Sequence, residues 1–353
     1  MTRHPPPEPL TLRLAYRPPF DWAAMLAFLS ARAPSGVEWI RAEEYLRTVR
    51  AGDRSGWLRV RHAPDERVLL VELTHSLAPE LAGVLTRLGH LFDSSARPDV
   101  IAAHLRRDPR LAEAVARRPG LRVPGAFDGF ELATRAVLGQ QVTVKGATTL
   151  AGRFAEAFGE QVETPHGELR RACPTAERVA AADVGAIASL GITRARAATL
   201  VTLADEVASG RLALDAGGDA AAVVAQLIAL PGIGPWTAQY VAMRALRWAD
   251  AFPKEDVALR KRLGGVTATN AERLSQPWRP WRSYAVLHLW HARAEPSIDS
   301  ATDSAPEAHA TETRPRRSGG RRSGVPDAHQ AARGARGGPA ARRPSSPTRR
   351  PRR

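Results

Sequence analysis

Asp256 opens a helical pattern in the last third of the folded sequence and is the first candidate for chemistry. It stands in the run Phe-Pro-Lys-Glu-Asp-Val, directly before the apolar positions Val257 and Leu259. An aspartate in that place is most often an N-cap, which stabilises a helix by about 1 kcal/mol. The helix dipole and the first amides also keep such a carboxylate ionised and fixed. A fixed anion can stabilise positive charge that develops in a transition state, so the two roles of Asp256 are compatible.

Upstream of Asp256, the run Leu-Pro-Gly-Ile-Gly-Pro-Trp-Thr connects two helical patterns through a tight turn. Its two glycines, Gly232 and Gly234, let another molecule approach the backbone without meeting a Cβ. The amides that open the second helix, which includes Thr237, would form a site for one phosphate. An ordinary connection between two helices is the alternative. The full pattern favours a DNA-binding hairpin, and we predict that Gly232, Gly234 and Thr237 bind a DNA phosphate.

Aromatic residues form the third element of the candidate site. Trp236 and Tyr240 are spaced i, i+4 on the helix after the hairpin, so they share one face. A second aromatic segment contains Trp278 and Trp281 and leads into a helix that reaches Trp290. We expect Trp278 and Trp281 to pack in the core, whereas a large ring directly after a phosphate-binding turn should face the bound DNA.

His288 and His291 stand at i, i+3 on the last helix. No third ligand is placed near them in the sequence. We therefore expect exposed or packing histidines rather than a metal site.

Composition limits the class of protein. The chain has 353 residues, a net charge of +15 and a pI near 11.2, which favours a polyanionic partner. The segment Pro296–Arg353 contains 13 Arg and no Lys against 5 acidic residues, a net of +8, so the preceding residues carry about +7. One cysteine, Cys173, excludes a disulfide framework, a four-thiolate zinc site and a four-cysteine iron–sulfur cluster. We expect a cytoplasmic, nucleoid-associated protein without a membrane segment.

Hydrophobic periodicity predicts an α+β fold with three parts. Residues 1–93 form a small α/β domain, with strands at Thr11–Tyr16, Trp57–Arg61 and Val68–Leu73 and helices after Asp21 and at about 81–92. Residues 94–295 are helical and contain almost no strand-like pattern. Residues 296–353 are rich in Arg, Pro, Gly and Ser and are expected to be a disordered basic tail. The predicted helices of the second part span about 97–107, 109–117, 128–142, 145–158, 175–183, 194–209, 219–229, 235–248, 257–263 and 282–292.

The hairpin, Asp256 and the run Trp-Arg-Pro-Trp-Arg-Ser-Tyr-Ala from Trp278, in this order, resemble the 3-methyladenine DNA glycosylase II family (AlkA-type) of the helix–hairpin–helix superfamily. The runs that begin at Arg17, Gly120 and Arg135 extend the resemblance to about residues 10–295. It implies a TBP-like N-terminal domain and a helix–hairpin–helix core of two helical subdomains with the active-site cleft between them.

The resemblance also implies roles for individual residues. Asp256 matches the catalytic aspartate. The flipped base would lie among Trp236, Tyr240 and Trp290. Gln140 and Gln141 match the loop that enters the minor groove, and Gln141 is a departure because relatives can place a leucine at this wedge. No cofactor is required, but the hairpin carbonyls of Ile228, Leu230 and Ile233 are expected to hold a structural Na⁺ or K⁺.

The implied reaction is hydrolysis of an N-glycosyl bond in base excision repair, after the damaged base has been flipped out of the duplex. The implied partner is double-stranded DNA that contains alkylated bases such as 3-methyladenine, and we expect a monomer. Relatives that also nick the strand carry a Schiff-base lysine where this chain has Trp236, so we expect a monofunctional enzyme. A bifunctional glycosylase/lyase and a non-catalytic helix–hairpin–helix DNA-binding protein remain the alternatives. The sequence leaves open whether 7-methylguanine or deaminated bases are also released.

Overall fold

The computed structural model describes residues 8–291. They lie within one unit of contacts that spans Met1–Glu295, so the sheet and the helices that follow it are packed together. The predicted tail, residues 296–353, lies outside the described residues, and the predicted domain boundary near residue 93 stays a prediction. None of the described helices is long and apolar enough to cross a membrane.

A five-stranded antiparallel sheet with the strand order β1-β5-β4-β3-β2 forms the first part of the fold. Its strands are β1 (Leu10–Ala15), β2 (Glu38–Arg41), β3 (Glu44–Ala51), β4 (Arg54–Ala63) and β5 (Val68–Leu73). The predicted strands correspond to β1, β4 and β5, whereas β2 and β3 were missed. On β3 the buried positions include Arg47, which is 2% exposed, so the apolar alternation that marks a strand is interrupted.

Fourteen α-helices are found among the described residues. The first two, α1 (Trp22–Ser30) and α2 (Leu81–Leu91), pack with the sheet: Trp22 contacts Phe92, and Phe92 contacts Tyr45 of β3. The others build the helical part: α3 (Pro98–Leu105), α4 (Pro109–Arg117), α5 (Gly129–Leu138), α6 (Val144–Phe158), α7 (Ala176–Ala180), α8 (Val184–Ala188), α9 (Arg194–Ala208), α10 (Ala220–Ala229), α11 (Pro235–Arg244), α12 (Val257–Arg262), α13 (Ala268–Leu274) and α14 (Arg282–His291).

Three predicted helices are four or more residues shorter than expected; one is α7, predicted over 175–183, and the other two shape the region of the candidate site. The helix predicted over 128–142 ends at Leu138, and Gln141 adopts a left-handed φ of 55° in the loop before α6. The helix predicted over 235–248 ends at Arg244, and Arg247 has a φ of 56°. The short helices α8, of five residues, and α13, of seven residues, were not predicted.

A buried ion-pair network attaches the sheet to α5. Arg47 of β3 donates to Glu131 of α5 at 2.6 Å and lies 3.6 Å from Glu38 of β2. Arg135 of α5 pairs with the same two carboxylates, at 3.1 Å and 3.3 Å. Burial by itself lowers the pKa of Arg135, but Glu38 and Glu131 outweigh it and hold that pKa above its ordinary value. The sheet therefore fixes the position of α5, which lines the cavity described below.

Candidate active site

A cavity of about 600 Å³ lies among α1, α5, α6, α11, α12 and α14. It collects side chains that are far apart in the sequence. Those that carry aromatic rings or charge are Phe28, Arg32, Arg135, Trp236, Tyr240, Arg244, Asp256, Arg262, Trp290 and His291.

Asp256 is both the N-cap of α12 and a member of this cavity. Its Oδ1 accepts a hydrogen bond from the amide of Leu259 at 2.7 Å, which is the cap that the sequence suggests. Its Oδ2 accepts a hydrogen bond from the indole Nε1 of Trp236 at 2.9 Å. The indole Nε1 of Trp290 lies 3.3 Å from Oδ1. Three donors from α11, α12 and α14 thus fix the carboxylate in one orientation.

The three aromatic residues assigned to the base pocket, Trp236, Tyr240 and Trp290, are brought together in this cavity. The rings of Trp236 and Tyr240 are stacked, with centroids 5.2 Å apart and planes 10° from parallel. Trp278 is 0% exposed and donates to Asp108 at 2.7 Å, so its predicted place in the core is confirmed.

The hydroxyl of Tyr240 faces arginines. Arg244 donates to it at 2.7 Å. Burial would raise the pKa of Tyr240, but the positive charges of Arg244 and then Arg32 outweigh it, and the pKa lies below its ordinary value. Trp236 therefore links the stacked pair to the Asp256 carboxylate, and Tyr240 links it to guanidinium groups.

The hairpin between α10 and α11 closes with a hydrogen bond from the amide of Ile233 to the carbonyl of Leu230 at 3.1 Å. Gly232 has a φ of +86°, and a Cβ on it would lie 2.1 Å from Oγ1 of Thr199. A Cβ on Gly234 would meet nothing within 4 Å. The fold itself therefore requires glycine at 232, whereas at 234 the glycine leaves open space outside the hairpin, as expected if another molecule approaches there.

Two residues with predicted DNA contacts also make contacts within the protein. Nε2 of Gln140 donates to the carbonyl of Gly232 at 2.9 Å and to Oγ1 of Thr237 at 3.2 Å, so its side chain lies against the hairpin. The side chain of Thr237 is 3% exposed, whereas the predicted phosphate contact concerns the amides that open α11. The roles of Gln140 and Thr237 in DNA binding stay predictions. Gln141 is exposed at the tip of the loop, where a wedge is expected.

Several cavity residues were not identified from the sequence: Phe28 and Arg32 at the end of α1, and Arg135 and Arg244. The available signal was weak. Arg32 follows Phe28 by four residues and therefore continues the face of an apolar helix. Arg135 interrupts the largely apolar run of α5, and Arg244 does the same on α11. Arginine at an otherwise buried position is a hint of function, but it does not show which cavity the side chain lines.

Two family models match the chain. The AlkA N-terminal domain matches residues 11–128, and the HhH-GPD superfamily of base excision DNA repair proteins matches residues 134–282. DNA-3-methyladenine glycosylase 2 of Escherichia coli K12 is 37% identical over 278 residues, which are 79% of this chain and 96% of that protein. The chain belongs to the DNA-3-methyladenine glycosylase II family. It is therefore a DNA glycosylase of base excision repair, and the expected fold is confirmed.

Other relatives agree with this membership. A Mycobacterium tuberculosis protein described as a probable bifunctional transcriptional activator/DNA repair enzyme AlkA is 40% identical over 291 residues, which are 81% of this chain and 58% of that protein. Among solved structures, a 3-methyladenine DNA glycosylase from Archaeoglobus fulgidus has a TM-score of 0.67 at 19% identity, covering 79% of this chain and 97% of that one. At that identity the likeness shows the shared fold of the glycosylase family.

Proposed function

We propose that this glycosylase is monofunctional and releases alkylated purines, 3-methyladenine among them, from double-stranded DNA by hydrolysis. The free base and an abasic site are the products. The observation that carries the proposal is the hydrogen bond from Trp236 to Asp256, which fixes a carboxylate at an aromatic cavity with room for a purine.

Asp256 supplies the negative charge that bond cleavage needs. As the glycosidic bond breaks, positive charge develops on the sugar around C1′, and a fixed carboxylate stabilises it more strongly than mobile water does. The donors from Trp236, Trp290 and the Leu259 amide hold the carboxylate in place before the substrate arrives. The same carboxylate is suited to orient the attacking water.

The aromatic rings account for the choice of base. A purine methylated at N3 or N7 is cationic, and an electron-rich ring attracts such a base by about 0.5–2 kcal/mol. Trp236, Tyr240 and Trp290 line the cavity that would receive it. The cation is also a good leaving group, which explains how release proceeds without a dedicated general acid.

The hairpin and the loop before α6 account for DNA binding. The amides around Gly232 and Gly234 open α11 and are suited to one backbone phosphate. Exposed Gln141, at the loop tip, is suited to fill the space that the flipped nucleotide leaves. Flipping itself costs a few kcal/mol and costs least at a weakened base pair.

A lyase mechanism is disfavoured by the residues of the cavity. Among the described residues that line it there is no lysine, and the position after the hairpin that a Schiff-base lysine would need is Trp236. Without an amine nucleophile no imine forms with the sugar. Borohydride should therefore trap no covalent DNA adduct, and a trapped adduct would overturn the monofunctional assignment.

The hairpin carbonyls are suited to a structural Na⁺ or K⁺. Ile228 lies in the last turn of α10, where carbonyls have lost their partners within the helix. The Leu230 carbonyl accepts from Ile233 and keeps a second lone pair for an ion. Together with the carbonyl of Ile233 they form the donor set that hard monovalent cations prefer. Such an ion would hold the turn in shape and would take no part in bond cleavage.

We further propose that the protein acts as a monomer in the cytoplasm, at the nucleoid. Every functional residue named above belongs to one chain and lies in one unit of contacts. Light scattering of the purified protein with and without duplex DNA tests the assembly state.

The decisive experiment is Asp256→Asn in a single-turnover assay of base release from methylated DNA. Asparagine keeps the size of the side chain but removes the charge, so release should fall by at least about a thousandfold, which matches a lost electrostatic contribution of about 4 kcal/mol. Binding to DNA that contains an abasic analogue should persist. Asp183→Asn, at the N-cap of α8 and outside the cavity, is the matched control for loss of a cap. Near-normal release by Asp256→Asn would refute the assignment.

A further inference from the structure

Arg32 occupies a part of the cavity that stabilisation of C1′ by Asp256 does not use. It follows α1, and its guanidinium lies over the ring of Phe28, with Cζ 3.7 Å from the centroid. Its Nη1 donates to the carbonyl of Phe28 at 3.1 Å, which ties the side chain back to the end of its own helix. Arg32 is therefore fixed at the cavity by the sheet-bearing part of the fold.

Two of the other cavity arginines, Arg135 and Arg244, are engaged with the protein, and the fourth, Arg262, lies on α12 behind Asp256 in the sequence. Arg135 pairs with Glu38 and Glu131. Arg244 donates to the carbonyls of Pro124 and Gly125 and to the hydroxyl of Tyr240. These bonds give both side chains a structural role.

Arg32 differs from both, because within residues 8–291 it takes part in no ion pair and donates to a single carbonyl, that of Phe28. Its guanidinium has five N–H donors, of which the Phe28 carbonyl uses one, and the Tyr240 hydroxyl lies close enough to interact with another. A half-buried positive charge without a carboxylate partner is costly; the Tyr240 hydroxyl offsets part of that cost, and the nearby charges of Arg244 and Arg135 add to it. Donors that remain available at a ligand cavity are suited to a ligand that brings acceptors.

The cavity therefore has two chemically different ends. At one end, Asp256 accepts a hydrogen bond from Trp236. At the other end, Tyr240, whose ring is stacked on Trp236, accepts a hydrogen bond from Arg244. The negatively charged end, at Asp256, is suited to stabilise positive charge on the sugar. The positive end suits the edge of the base that points away from the sugar, provided that this edge carries oxygen or an unprotonated nitrogen.

We propose that Arg32 donates hydrogen bonds to an acceptor on the flipped base and so favours neutral bases with an exposed carbonyl oxygen over cationic alkylpurines. This inference rests on the proposed function, because it assumes that a flipped base enters this cavity. The planar guanidinium can donate two parallel bonds to such an edge. The same positive charge repels a base that is itself cationic, so Arg32 sets the balance between the two classes of damage.

The test is Arg32→Met, which keeps the length of the side chain but removes its charge and donors. Hypoxanthine, a neutral base with a carbonyl oxygen, is the probe in an inosine-containing duplex, and 3-methyladenine in methylated DNA, which is cationic and has no carbonyl oxygen, represents the other class. Single-turnover release of hypoxanthine should fall by about tenfold or more, the size of a hydrogen bond to a charged group. Release of 3-methyladenine should stay the same or rise.

Arg32→Lys separates charge from geometry. Lysine keeps the positive charge but cannot donate two parallel bonds, so hypoxanthine release should fall while 3-methyladenine release stays as in the wild type. Arg117→Met, an exposed arginine on α4, is the matched control and should leave both rates unchanged. Thermal unfolding of each variant identifies any loss caused by misfolding.

Each outcome is decisive. Equal loss of both activities in Arg32→Met would assign the residue a structural role and overturn the inference, as would unchanged release of both bases. A wild-type protein that releases 3-methyladenine but no hypoxanthine would also overturn it and would leave the proposed function intact. A wild-type protein that releases neither methylated base, 3-methyladenine nor 7-methylguanine, would refute the proposed function itself.

Discussion

The indole nitrogen of Trp236 donates a hydrogen bond to the Asp256 carboxylate, with 2.9 Å between Nε1 and Oδ2. The same indole is stacked on Tyr240 in the wall of the cavity. One side chain therefore serves two purposes: it presents an aromatic face to the base and it orients the charged group. Trp236, which stands where a lyase would need a lysine, thus positions the carboxylate of Asp256.

This double role predicts that Trp236→Phe separates stacking from orientation. Phenylalanine keeps an aromatic face but cannot donate to Asp256, so the single-turnover rate of base release should fall by about tenfold or more, since a hydrogen bond to a charged group contributes about 1.5–3 kcal/mol. Binding of abasic-analogue DNA should change little. Trp290→Phe removes a longer contact of 3.3 Å and should cost less. The reverse order of the two effects would contradict the assigned geometry.

The two hairpin glycines should respond differently to the same substitution. Gly232→Ala forces a side chain into a left-handed backbone and against Thr199, so the free energy of unfolding should fall by about 1–3 kcal/mol. Gly234→Ala places its methyl group in open space, so stability should persist while affinity for DNA falls. Chemical denaturation and fluorescence anisotropy measure the two quantities. Unchanged DNA affinity in Gly234→Ala would argue against a phosphate at this turn.

The two neighbouring glutamines should also separate stability from function. Gln140→Met removes the bonds to the Gly232 carbonyl and the Thr237 hydroxyl, and the free energy of unfolding should fall by about 1–2 kcal/mol. Gln141→Ala removes most of the exposed side chain at the loop tip and should leave the free energy of unfolding unchanged. It should slow base release, because the space left by the flipped nucleotide is no longer filled. Equal stability of the two variants would show that the contact of Gln140 with the hairpin contributes little.

His288 should make stability depend on pH. It is buried in α14, and burial, reinforced by the charge of His291, lowers its pKa to about 4. Because the pKa in the unfolded chain is about 6.5, the unfolded state binds the extra proton between these values. The contribution is complete above about pH 6.5 and is lost as the pH falls towards about 4, up to about 3 kcal/mol. His288→Gln should flatten the dependence of the free energy of unfolding on pH in this window, and identical slopes for both proteins would contradict it.

The sequence identified most of the chemistry because local patterns carry it. Asp256, Trp236 and Tyr240 lie within one helix–hairpin–helix–helix segment, and their spacing fixes which face or terminus each occupies. The strands β1, β4 and β5 were also predicted, because their buried positions are mostly apolar. The core position of Trp278 followed from the same reasoning.

Tertiary structure decided the features that depend on long-range pairing. Arg47 can be buried in β3 because Glu131, 84 residues away, compensates its charge. Nothing in the sequence of β3 indicates that partner. The inward orientation of Gln140 depends in the same way on a hairpin 92 residues further along the chain. A side chain that finds its partner at such a distance looks like an ordinary surface residue in the sequence.

The sequence by itself thus determined the family, the Asp256 carboxylate and the aromatic face of Trp236 and Tyr240. Each depends on residues a few positions apart, and a helix or a turn fixes how such residues are placed relative to one another. Only the folded chain showed that Trp236 holds Asp256, that Arg32 reaches the same cavity from the sheet-bearing part, and that the side chain of Thr237 is buried. The physical reason is that hydrogen bonds and desolvation act between groups in space, and packing decides which groups meet.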